Sequence, residues 1–143
     1  MNAASAAVAT ADIFIWLGMV LAISFLEAPL KFRAPGVDLP IGLGIGRIVF
    51  RVLNRVEIAL ALIALAAVAI GRPTGSVAAL TAAILIILAA QLIAIRPQLN
   101  RRTDRVLAGQ HPPRSSMHLY YVGLEAAKVL TLAALGTCLL VAA

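Results

Sequence analysis

Nineteen consecutive residues, VAALTAAILIILAAQLIAI from Val77 to Ile95, carry no charge. As a helix rising about 1.5 Å per residue, such a run reaches the roughly 30 Å thickness of bilayer hydrocarbon. Three more apolar segments accompany it: Ala11 to Leu30, Gly46 to Ile70 and Leu119 to Val141. Inside hydrocarbon a backbone must satisfy its own polar groups, and the alternation that a β-barrel needs is absent. The pattern predicts an all-α integral membrane four-helix bundle made of two αα-hairpins. It forms a single transmembrane domain over residues 1–143, with spans near 11–30, 46–70, 77–95 and 119–141.

Composition agrees. Hydrophobic residues make up 62% of the chain and charged residues 13%, with a mean hydropathy of +1.01. A soluble domain averages about 25% charged residues. The net charge of +6 would suggest nucleic acid for a soluble protein. Here the basic residues cluster beside apolar runs without interleaved aromatics, so no nucleic-acid partner is expected. The single cysteine, Cys138, lies within an apolar run, which excludes an intramolecular disulfide and a cysteine metal site. No Lys or Arg precedes Lys31, so the basic region of a cleaved signal peptide is missing and the first run is expected to be a true span. Heavy use of Ala, Leu and Arg goes with a high-GC bacterium. The expected location is the bacterial inner membrane, as a multi-pass protein.

Pro35, Gly36, Pro40, Gly42, Gly44 and Gly46 punctuate the first connection. The G-x-G-x-G spacing follows no strand, so a phosphate-binding loop is not expected. A flexible, re-entrant or interfacial lead-in to the second span is. GRPTGS, Gly71 to Ser76, reads as a tight turn. Arg96 to Ser116 reads as a polar loop with a short surface helix around Gln98 to Leu107.

Basic residues set the expected orientation. The first connection holds Lys31, Arg33, Arg47, Arg51 and Arg55; the third holds Arg96, Arg101, Arg102, Arg105 and Arg114; the second holds only Arg72. Positive loops stay in the cytoplasm. The termini are therefore expected outside, with a basic cytoplasmic face of Arg47, Arg51, Arg55, Arg96, Arg101, Arg102 and Arg105 against anionic headgroups. So lopsided a distribution argues against a dimer inserted in both orientations.

That orientation, with a fixed rise per residue, places Glu27, Glu57, Gln91 and Glu125 at one height, one per helix, in the cytoplasmic half. Tyr121, Glu125 and Lys128 share a face of the fourth helix, with His118 near it, and Asn54 shares a face with Glu57. VEIALAL at Val56 resembles LEAAKVL at Leu124, each in the second helix of a hairpin. Two readings follow. The layer is a protonatable or cation-binding site open to the cytoplasm, or it is a register-fixing ion-pair network in which Lys128, Arg55 and Arg51 offset the glutamates. A metal site is not expected: carboxylate di-metal bundles use Glu-x-x-His, and here Lys128 follows Glu125 at that spacing. His118, with Tyr120 and Tyr121, reads as an interfacial anchor, and Trp16 as a packing residue.

In chain order, WLG at Trp16, APLKF at Ala28, GLGIGRIVF at Gly42, Arg96 after the third span and HLYYVGLEAAK at His118 form a set. It resembles the small bacterial four-helix membrane proteins of a domain-of-unknown-function family related to eukaryotic transmembrane protein 205. The resemblance covers most of the chain. It implies a link to resistance against toxic compounds and metals, through transport or trafficking. Glu57 and Lys128 are departures from that pattern. The expected function is a small polytopic membrane protein handling a solute, proton or cation through the polar layer, with no cofactor. The alternative is an accessory subunit packed against a larger membrane-protein complex or against its own copies.

Overall fold

Polar side chains mark the start of each long helix. Asn2 accepts a hydrogen bond from the Ser5 N–H at 2.8 Å, and Asp38 accepts one from Ile41 at 2.9 Å. Thr74 does the same for Val77 at 3.5 Å, and Ser115 for Met117 at 3.2 Å. Each supplies an acceptor to an N–H that the helix itself leaves free. The computed structural model describes residues 1–141. The helices are α1 (Ala3–Arg33), α2 (Leu39–Gly71), α3 (Gly75–Leu107) and α4 (Met117–Val141), all long and apolar enough to cross a membrane. Stops are equally local. Arg72 takes a left-handed conformation at φ 54° and Pro73 follows it, so α2 cannot continue. Gly36 and Gly109 supply positive φ in the other two connections.

The helices pack as a ring in chain order, with α1 against α2 and α4, and α3 against α4 and α2. Both basic connections lie at one end, where Arg47 of α2 pairs with Asp104 of α3. The buried core draws Ile13 and Trp16 from α1, Ala61 and Ala64 from α2, Ile84 from α3 and Leu132 from α4. Small residues on α2 let its backbone approach α1 closely. Ile70, Ile86, Ile93 and Leu130 stand exposed on the outside of the bundle, where a soluble protein would place polar groups.

Three expectations change. The expected spans are shorter than the helices: α1 begins at Ala3, and α2 and α3 each run 33 residues, about 50 Å at 1.5 Å per residue. Both therefore outreach roughly 30 Å of hydrocarbon. Gly42, Gly44 and Gly46 lie inside continuous helix, not in a flexible lead-in. Gln98 to Leu107 is helical, as expected, but it continues α3 and does not stand apart in a loop.

The helices are interrupted in one particular way. α1 widens to a π-helical turn over Leu21–Glu27, and α3 does so over Gln91–Ile95. Pro29 and Pro97 follow. Each proline removes an N–H that a carbonyl one turn earlier needs, and its ring crowds that carbonyl. Widening the turn relieves both without ending the helix.

Candidate functional site

Four helices contribute to one buried polar cluster. Lys128 of α4 sits between two carboxylates, with Nζ 2.5 Å from Oε1 of Glu57 and 3.2 Å from Oε2 of Glu125. The Trp16 indole N–H donates to Glu57 Oε1 at 2.9 Å. The Ser24 hydroxyl donates to Glu125 Oε1 at 2.7 Å, and the Gln91 amide donates to Oε2 at 2.6 Å. Glu57, Glu125 and Lys128 keep no more than 1% of their surface exposed. Charges so completely removed from water persist only when paired and hydrogen-bonded. Two carboxylates thus face one ammonium, so the cluster holds one acid more than it holds bases. Gln91 Oε1 is buried beside them with no donor.

The π turns build this geometry. Ser24 lies in one and Gln91 opens the other, and both reach Glu125. A widened turn projects a side chain where a regular helix would not, which is why such turns gather at sites.

Toward the basic end the cluster meets a cavity of about 490 Å³ that extends from exposed His118 to buried Glu125. Its walls include Phe25, Phe32, Phe50 and Tyr121, and its cations are Lys31, Arg47, Arg96 and Arg102. The Arg96 guanidinium lies 4.1 Å from the Phe50 ring centre and 4.4 Å from that of Tyr121, and it donates to the Tyr121 hydroxyl at 2.6 Å. Phe50 and Tyr121 meet edge to face at 5.9 Å. The glycines of α2 make room for this wall. A Cβ on Gly42 would overlap the Phe32 ring, and one on Gly46 would come within 2.9 Å of Lys31 Nζ.

Of the residues expected in one layer, Glu57, Gln91, Glu125 and Lys128 meet. Glu27 does not join them: it is partly exposed and lies 3.5 Å from Lys31. Arg51 and Arg55 are exposed and form no ion pair among the described residues, where Lys128 alone pairs with the buried glutamates. Asn54 is half-buried and lines a neighbouring pocket of about 200 Å³ with Arg51 and Arg55, away from Glu57. Tyr121 is buried, whereas His118 is exposed at the cavity's edge. Arg101 and Arg105 are exposed.

Two participants, Trp16 and Ser24, and one further buried acid, Asp12, escaped the sequence reading. Trp16 is a hydrogen-bond donor as well as a packing residue; an indole N–H in a buried run needs an acceptor, and that was the available signal. Ser24 carried no signal beyond a hydroxyl near the expected height. Asp12, one turn from Trp16 on α1, is buried with Oδ2 unpartnered. A carboxylate inside an apolar span is itself a marker. Among the described residues no group of three or more His, Cys, Asp or Glu could hold a metal ion.

Comparison with family models, curated proteins and solved structures returns no match to this chain.

Proposed function

We propose that this chain is a small multi-pass membrane protein that handles a solute in exchange with a proton or small cation at the Glu57–Lys128–Glu125 cluster. One observation carries the reading: two fully buried carboxylates share a single lysine, and a solute-sized cavity reaches one of them, Glu125. The missing positive charge is what a proton or cation supplies. Groups of this kind inside a bundle mark ion and proton pathways. Asp12 is a third buried acid, on α1, about 6 Å along that helix from Trp16 at 1.5 Å per residue. In this reading the basic end faces the cytoplasm, following the rule for positive loops, and the membrane is a bacterial inner membrane. The resemblance to the family related to transmembrane protein 205 points the same way, through that family's association with resistance to toxic compounds.

The test uses the purified chain in liposomes enclosing a pH-sensitive dye. Under an imposed proton gradient the wild type is expected to carry flux. Glu57→Gln and Glu125→Gln are expected to abolish it while still folding, and Glu27→Gln, whose carboxylate lies outside the cluster, is expected to keep it. If the first two only lower the melting temperature while a stoichiometric membrane-protein partner co-purifies, the chain is an accessory subunit with fixed ion pairs.

A further inference from the structure

We infer that the cavity at the basic end binds an amphiphilic organic anion, its phosphate or carboxylate head on Arg96 and Arg102 and its apolar body against Phe25, Phe32 and Phe50. This names the solute class of the proposed function and rests on that reading for the idea that the cavity takes a solute.

The cations of the cavity are not equivalent. Lys31 pairs with Glu27, and Arg47 pairs with Asp104. Arg96 and Arg102 form no ion pair among the described residues, and the Nε–H of each is buried without an acceptor. A buried charged donor left unmatched is costly, and an anionic oxygen is the group that matches it best. Arg96 is also held ready. Phe50 and Tyr121 fix its plane, and the Tyr121 hydroxyl engages only Nη2. A guanidinium fixed in this way suits the fork geometry of a carboxylate or phosphate and loses little freedom on binding. Asn100, Thr103, Ser115 and His118 add polar groups around the same space.

Glu125 sits at the buried end of the cavity, so the anionic head belongs on the arginines and not beside it. The oxygens of Glu125 are occupied by Ser24, Gln91 and Lys128, and it is almost wholly buried. The phenylalanines and Val122 exclude a bare inorganic ion as the best fit, since they offer carbon surface and no donors. The volume falls within the roughly 300–1,000 Å³ of small-molecule sites. Head chemistry is common to a free amphiphile and to a phospholipid.

The experiment places the full chain in nanodiscs of phosphatidylcholine alone and titrates decyl phosphate, decanol and decyltrimethylammonium by calorimetry. Decyl phosphate is expected to bind once per chain, about tenfold or more tighter than decanol, as one charge-assisted hydrogen bond implies. Arg96→Gln and Arg102→Gln should each weaken it by about tenfold, whereas Arg101→Gln, on the exposed face of α3, should leave it unchanged. Arg96→Lys keeps the charge without the stacked plane and should fall between, which guards against misreading a poorly folded glutamine variant. Equal binding of decanol or of the cation, or indifference to the arginine substitutions, overturns the inference. Phosphatidylglycerol in the disc separates the sources. Competition assigns the site to a phospholipid head; no competition assigns it to a free amphiphile, and the preference for an anion holds in either case. Anion binding by a chain that carries no proton flux would remove the exchange reading and keep this one, while flux without anion preference would do the reverse.

Discussion

Lys128 is the residue whose loss matters most. It is buried among Glu57, Glu125, Trp16, Ser24 and Gln91, and among the described residues it is the only cation in ion-pair contact with either buried carboxylate. Removing one partner of a buried pair typically costs about 3–5 kcal/mol, because a charge is left without compensation. Lys128→Met is therefore expected to lower the stability of the detergent-solubilised protein by about that amount, read from thermal or denaturant melts. Adding Glu57→Gln and Glu125→Gln to the same variant should recover most of the loss, since neutral amides need no counter-charge. Failure of the triple variant to recover would mean that the lysine's stem, not its charge, holds the helices. At this scale the sequence was informative where helix rise alone decides. Glu57, Gln91, Glu125 and Lys128 meet because their heights match. Glu27 also lay near that height, but it sits in a π turn with Lys31 one turn on, and it pairs there. Rise per residue cannot reveal a local change of turn.

The interrupted helices carry most of what was not legible. The first span was expected to stop at Leu30, beside Pro29, and a loop to begin at Arg96, beside Pro97, since proline usually terminates a helix. Each is instead absorbed by the widened turn before it. The glycines of α2 misled for a related reason. Glycine weakens a helix, so a run of three reads as a break, yet Gly42 and Gly46 are required where Phe32 and Lys31 lie across the helix surface. Such a contact between distant segments leaves no periodic mark in either. The π turn of α3 makes a testable claim. With Pro97→Ala the turn is free to close to regular helix, which rotates Arg96 relative to Gln91 by about 100° and takes it off Phe50 and Tyr121. Affinity for decyl phosphate is expected to fall about as far as in Arg96→Gln, with helix content by circular dichroism unchanged. Unaltered affinity would show that the tertiary contacts of Arg96, and not the proline, hold the turn open.

Across the whole molecule the two hairpins repeat a plan. The first helix of each carries a π turn followed by a proline, and the second carries a buried glutamate, Glu57 or Glu125. The sequence similarity around those glutamates thus has a structural counterpart, and Lys128 breaks the equivalence by sitting on one hairpin while contacting both carboxylates. The four-helix architecture was legible because apolar length decides it directly, and short connections leave neighbours antiparallel. Orientation in a bilayer follows from charge instead. Five basic residues in or flanking the first connection and five in or flanking the third lie at the same end as the Arg47–Asp104 pair, against Arg72 alone in the second connection. Positive loops are retained in the cytoplasm, so Ala34→Cys and Gln110→Cys, each in a Cys138→Ala background, should react with an impermeant maleimide only after the membrane is opened. Ser76→Cys, exposed in the first turn of α3 beside the connection that holds Arg72, should react in intact cells. Reaction of all three in intact cells would mean that the chain inserts both ways. Reaction of Ala34→Cys and Gln110→Cys alone would turn the bundle over and open the arginine-lined cavity to the outside, leaving the cluster itself intact but reversing the side from which it meets its solute.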